Sequence, residues 1–66
     1  MRVVVNGEDR SIPGGATIIV LLHSLGLEPK RIAVEVNGRI VPSREHGEVT
    51  LKECDRIEIV QFVGGG

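Results

Sequence analysis

Aromatic side chains are almost missing from this sequence: tryptophan and tyrosine are absent, and Phe62 is the sole phenylalanine. Single-stranded nucleic acid is usually gripped on stacked rings, and this chain offers no such platform. A basic excess is missing too. Eight Lys and Arg against nine Asp and Glu leave a formal net charge of −1, and the largest cationic cluster is the pair Lys30-Arg31. Binding to a phosphate backbone draws on such an excess, so nucleic acid is not expected as a partner. Cysteine is reduced to Cys54 alone, which forbids an internal disulfide and fits a reducing compartment. No apolar run approaches the roughly 20 residues of a membrane span. The opening MRVVVNGEDR lacks the apolar core and small-residue cleavage site of a secretory leader. The expected setting is therefore cytoplasmic, without a membrane.

The same scarcity limits chemistry. One cysteine and two separated histidines, His23 and His46, give no metal-ligand spacing, so no metal is expected. Cys54 precedes Asp55 and has no nearby base or cationic cluster to stabilise a thiolate. It reads as structural or incidental, the alternative being a mixed or acyl disulfide with a partner. Gly14-Gly15 precedes a helix start but lacks the lysine and spacing of a phosphate loop; it reads as a loop. Arg39, Arg44 and Arg56 read as solvated charges that could also meet an acidic partner surface. At 66 residues the chain is one domain with a thin core. A domain this small binds or carries more readily than it catalyses.

What is present is regular. RVVVN (2–6) is β-branched and reads as a strand. Asn6-Gly7 is a hairpin signal, and EDRSI (8–12) is its weaker partner strand. Pro13-Gly14-Gly15 breaks regularity. Thr17 can cap a helix, and Ile18, Leu21, Leu22 and Leu25 share one helical face over 18–25. Ile19 and Val20 are apolar off that face. Gly26 stands where a left-handed helix end takes glycine, and Pro29 ends any continuation. RIAVEVNG (31–38) reads as a strand running into a second Asn-Gly turn, with RIV (39–41) as a short partner stopped by Pro42. Residues 43–48 read as loop or a single helical turn, 49–51 as a possible short strand, 52–55 as a turn and 56–63 as the last strand. In that strand Ile57, Ile59 and Gln61 point one way, and Arg56, Glu58, Val60 and Phe62 the other. One amphipathic helix over one sheet face makes a two-layer α+β domain.

This order of elements resembles the β-grasp fold of ubiquitin-like proteins, and within it the sulfur-carrier family of thiamine biosynthesis (ThiS). The resemblance rests on VNGE, ATIIVLLHSLGL, AVEVNGRIVPSRE, LKECDRIEIVQFVGG and the Gly65-Gly66 end, and it covers the whole chain. The fold it implies is a mixed four- to five-stranded sheet with one main helix packed on one face. The domain would span 1–63, followed by a flexible glycine tail, 64–66. Such carriers usually have glycine where Cys54 stands. They have polar or small residues at the positions of Ile19 and Val20, and often an aromatic near His46-Gly47.

The resemblance implies that the protein is a co-substrate and not an enzyme. The Gly66 carboxylate, a poor acyl electrophile when ionised, would be adenylated by a ThiF-like partner using ATP and magnesium, with no cofactor bound to the carrier itself. A persulfide from a cysteine desulfurase or sulfurtransferase would then convert it to a thiocarboxylate, and a ThiG-like thiazole synthase would take the sulfur. Gly64 and Gly65, lacking Cβ atoms, would thread the partner's channel; three extended residues reach roughly 10 Å. Val60, Phe62 and Val63, apolar and beside the working end, are the candidate docking residues. The alternatives are a carrier for molybdopterin or another pathway, a ubiquitin-like modifier, and a binding module whose glycines are inert.

Overall fold

The computed structural model describes residues 1–28 and 32–61. Strands β1 (Arg2–Val5) and β2 (Glu8–Ser11) form an antiparallel hairpin. Its turn is Asn6-Gly7, with φ of 49° and 83°. Positive φ at both central residues is what lets a two-residue turn match the right-handed twist of the strands. The second Asn-Gly repeats the device: β3 (Ile32–Val36) and β4 (Arg39–Val41) are joined by Asn37 and Gly38 at 52° and 84°. Strand β5 (Arg56–Gln61) completes the sheet. The order is β2-β1-β5-β3-β4, with β5 parallel to β1 and antiparallel to β3. The mixed sheet expected from the sequence therefore has five strands.

Helix α1 (Ile18–Ser24) covers one face. Its seven residues are too few for a helix to persist unaided in water, so its ends and its buried side hold it. The leading amides are all met: Ile18 N donates to Val49 O (3.3 Å), Ile19 N to His46 O (3.1 Å) and Val20 N to the Thr17 Oγ1 cap (3.4 Å). At the other end Gly26 takes φ 73°. Leu27 N then reaches Leu22 O at 2.9 Å and Gly26 N reaches His23 O at 3.0 Å, a Schellman closure that satisfies the last carbonyls. Ile18, Leu21 and Leu22 are fully buried, and Leu25 packs partly against the same core. Val20 remains exposed, as its place off that face implies.

The core joins that stripe to Val3 and Val5 of β1, Ile32 and Val34 of β3, and Ile57 and Ile59 of β5, with Ile12, Ala16 and Leu51 from the connections. Along β5 the burial alternates, with Ile57 and Ile59 inward and Arg56, Glu58 and Val60 outward. The predicted facing of this strand holds for 56–60; Gln61 is exposed.

One expectation changes. The short strand expected over 49–51 does not form. Thr50 makes a single bridge with Thr17, and Leu51 N donates to Ala16 O at 2.8 Å. The segment thus lies against the helix entrance and buries Leu51 there, because the connection before α1 offers it carbonyl partners. Residues 43–48 contain one 3-10 turn, Ser43–Glu45. The expected ends at Arg31, Phe62 and Val63, and the domain boundary between 63 and 64, lie outside the described residues.

The turn before β5 takes a conformation unusual for its sequence. Cys54 has φ 68°, a region that costs a residue with a Cβ roughly 1–2 kcal/mol. Its backbone N donates to Arg2 O (2.7 Å), and Arg2 N donates to Glu53 Oε1 (3.0 Å). Asp55 Oδ2 accepts from Lys52 N at 2.8 Å. These bonds hold the turn while the thiol is exposed and free. Replacing Cys54 with Gly removes the strain but loosens the unfolded chain. The expected net is a gain of up to about 1 kcal/mol in chemical denaturation; a loss would mean that the thiol contributes packing. The facing of β5 is checked the same way. Ile57→Ala should cost about 2–5 kcal/mol, and Val60→Ala should stay within about 0.5 kcal/mol.

Candidate functional site

The working end expected from the sequence is the C-terminal stretch. Phe62, Val63, Gly64, Gly65 and Gly66 lie outside the described residues. What the structure describes is the platform before them: the end of β5, its outward row and the ground on either side.

Val60 stands on the outward face, 55% exposed, opposite half-buried Ala33 on β3. Two residues earlier Glu58 faces Glu35 directly across the strand pair, and Glu35 in turn faces Ile40 of β4. Ile40 is 74% exposed. Apolar surface around the end of β5 is thus shared by Val60, Ala33 and, across the acidic pair, Ile40. Sequence reading alone found Val60; Ala33 and Ile40 join it only because β3 and β4 pair in this register.

On the helix side a groove of about 290 Å³ opens beside the last turn of α1. Val5, Ile59, Leu25 and Leu27 line it, Asn6 and Gln61 border it, and Glu8 and Arg10 contribute from β2. Those last two carry a surface ion pair at 3.6 Å, whose contribution to stability is small.

The two asparagines of the hairpin turns also act on β5. Asn6 Oδ1 accepts from Ile59 N at 2.7 Å and Asn6 Nδ2 donates to Ile59 O at 3.2 Å. Asn37 Oδ1 accepts from Arg56 N and its Nδ2 donates to Asp55 Oδ1, both at 3.0 Å. From the sequence each Asn-Gly signals only a turn. The partner of Asn6 lies 53 residues away, and no local pattern shows that.

His46, expected in a polar loop, is fully buried instead. Its Nε2 donates to Val41 O at 2.9 Å, and its Nδ1 has no hydrogen-bond partner. The ring fills the space under the 43–49 connection, whose His46 carbonyl receives Ile19 N. A Cβ on Gly47 would stand 3.8 Å from Ile19 Cγ1. Ile19 and His46-Gly47, two of the departures noted in the sequence, are thus neighbours joined by the Ile19 N to His46 O bond. His23 is exposed in the last helical turn. Arg39, Arg44 and Arg56 are exposed, as expected. Gly14-Gly15 lies in a loop between β2 and α1, with Ala16 N donating back to Pro13 O at 3.2 Å.

Comparison with known proteins now places this architecture. The sequence profile of the ThiS family matches residues 3–66. A sulfur carrier protein ThiS of Bacillus subtilis is 50% identical over 50 residues, 76% of each chain. A thiazole synthase of Paramagnetospirillum magneticum is 41% identical over all 66 residues, and one of Magnetococcus marinus 42%. The chain spans only a fifth of the length of those two relatives. In three dimensions it superimposes on the crystal structure of a thiamine biosynthesis protein (ThiS) from Geobacter metallireducens with a TM-score of 0.85, at 28% identity and full coverage of both chains. With a β-grasp sheet, one helix and a family match that runs from β1 through Gly66, the chain belongs to the ThiS family.

Proposed function

We propose that this chain is the sulfur carrier of thiamine thiazole synthesis, a protein co-substrate and not an enzyme. The observation that carries the reading is the family match across residues 3–66, which takes in the terminal glycines as well as the fold. The like-named Bacillus subtilis relative supports it.

In this reading the Gly66 carboxylate attacks the α-phosphorus of ATP on a ThiF-like adenylating enzyme that holds the magnesium, and pyrophosphate leaves. The terminal sulfur of a persulfide, supplied by a cysteine desulfurase or sulfurtransferase, attacks the acyl carbon, and AMP leaves. A thiol then cleaves the remaining sulfur–sulfur bond and releases the thiocarboxylate. A ThiG-like thiazole synthase consumes that sulfur. Two relatives named thiazole synthase contain a stretch like this chain, which supports a working pair of carrier and synthase.

The division of labour in this reading follows from chain reach and the lack of Cβ atoms in glycine. All this chemistry takes place in pockets that the carrier must enter, so the folded body supplies recognition and Gly64–Gly66 supply reach. Val60, Phe62 and Val63 form the docking stretch, with Val60 on the outward face of β5. A diglycine end alone is too generic to select a partner.

Intact mass after incubation with ATP, magnesium, a ThiF-like enzyme and a persulfide donor tests the reading. The expected product has one oxygen replaced by sulfur; an unchanged mass, with the enzyme active on its own carrier, overturns it. Adding one alanine after Gly66 should leave the melting curve unchanged and abolish adenylation, because the carboxylate moves out of register. Phe62→Ala should raise the KM for adenylation about tenfold or more, as loss of a central apolar anchor does. Val60→Ala should have a smaller effect and Glu58→Ala the smallest. An unchanged KM in the Phe62 and Val60 variants would move the docking face off this end of β5.

A further inference from the structure

We infer that Asn6 is a positioning residue for the acyl end: its carboxamide closes the β1 flank of β5 at Ile59 and so steadies the base of the stretch that leads to Gly66. This rests on the carrier reading above. The argument starts from a mismatch of lengths. Strand β1 ends at Val5 and turns away through Asn6-Gly7, while β5 continues to Gln61. On the β1 side, the carbonyls of Asp55 and Ile57 accept from Val4 N and Asn6 N, each at 2.9 Å. Alternation along the strand points the next polar pair, the N–H and C=O of Ile59, to the same side. No β1 backbone remains to meet them, and Ile59 is only 9% exposed, so leaving them unpaired would be costly. The Asn6 carboxamide takes the place of the missing residue, accepting from Ile59 N at 2.7 Å and donating to Ile59 O at 3.2 Å. Its φ of 49° belongs to the hairpin turn, so turn and clamp are one conformation.

Beyond Ile59 the support becomes one-sided. Gln61 lies opposite Ile32 of β3, and among the described residues nothing continues β1 on the other flank. Ile59 is therefore the last residue of β5 held from both sides. The seven residues from Val60 to Gly66 extend at most roughly 25 Å from that point. Releasing Ile59 from Asn6 leaves residues 59–61 held by β3 alone, so this end of β5 frays more readily and must be reordered when the acyl end enters a pocket. Each further residue ordered lowers the inserted population by about fivefold or more. The docking face is left intact, so the loss falls on turnover after docking.

The molecule contains its own control. Asn37 occupies the equivalent Asn-Gly turn and also ties β5 through two side-chain bonds, but at Arg56 and Asp55, where the strand begins. Glycine accepts positive φ at both positions, so Asn6→Gly and Asn37→Gly keep their turns and each lose two bonds. Both melting temperatures should fall by a similar amount, on the order of 10 °C. Steady-state adenylation by a ThiF-like enzyme with ATP and magnesium, well below either melting temperature, separates them. Asn6→Gly should lose about fivefold or more in kcat with KM for the carrier within about twofold. Asn37→Gly should keep both constants within about twofold. Asn6→Asp, which retains the acceptor for Ile59 N, should recover part of the loss. Amide exchange at Ile59 should accelerate more in Asn6→Gly than in Asn37→Gly. Equal kcat in the two glycine variants, whether both reduced or both unchanged, overturns the inference while wild-type turnover leaves the carrier reading standing. A wild-type chain that is not adenylated overturns both.

Discussion

Strand β5 has to be buried from both flanks and from above, and most of the domain exists to do that. Ile57 and Ile59 are the buried residues of β5, and both join the core beneath the helix. Parallel pairing with β1 supplies one flank and antiparallel pairing with β3 the other. A helix of seven residues has too little surface of its own to be stable; it persists because β5, β1 and β3 offer it a continuous apolar floor. Putting the C-terminal strand at the centre of the sheet also makes the rigid body end in its best-supported element.

Central placement raises an accounting problem that the two asparagines solve. Hairpin turns draw β1 and β3 away from β5 at opposite ends, leaving backbone polar groups of β5 without a ladder partner, part-buried at Ile59 and exposed at Arg56. Asn6 and Asn37 meet those groups with their side chains, one at Ile59 and one at Arg56. Since asparagine tolerates positive φ, the residue that makes the turn is also able to make the clamp. The 43–49 connection is closed differently, by burying the His46 ring against the Val41 carbonyl and by lending the His46 and Val49 carbonyls to the first amides of α1. Strain is kept at Cys54, whose backbone N is tied to Arg2 O at 2.7 Å.

Legibility in the sequence followed interaction range. Both Asn-Gly turns, the Thr17 cap, the Gly26 helix end and the inward Ile57 and Ile59 are local patterns, and the structure reproduces each. Residues 49–51 were apolar enough for a strand, yet hydrogen bonding to the loop before α1 decided otherwise. The sequence placed His46 only in the 43–48 loop; the fold of the connection buries its ring.

The sequence by itself determined the class of domain, the helix and its buried face, the two hairpins and the facing of β5, because periodicity and turn chemistry act over a few residues. It also carried the family likeness, in the strand order and the terminal glycines. Only the tertiary structure decided the order β2-β1-β5-β3-β4, the apolar surface that Val60 shares with Ala33 and Ile40, the burial of His46 and the bonds from Asn6 to Ile59. Each of these depends on which strand lies beside which, and that is settled by contacts between residues tens of positions apart, where no spacing in the sequence reports it.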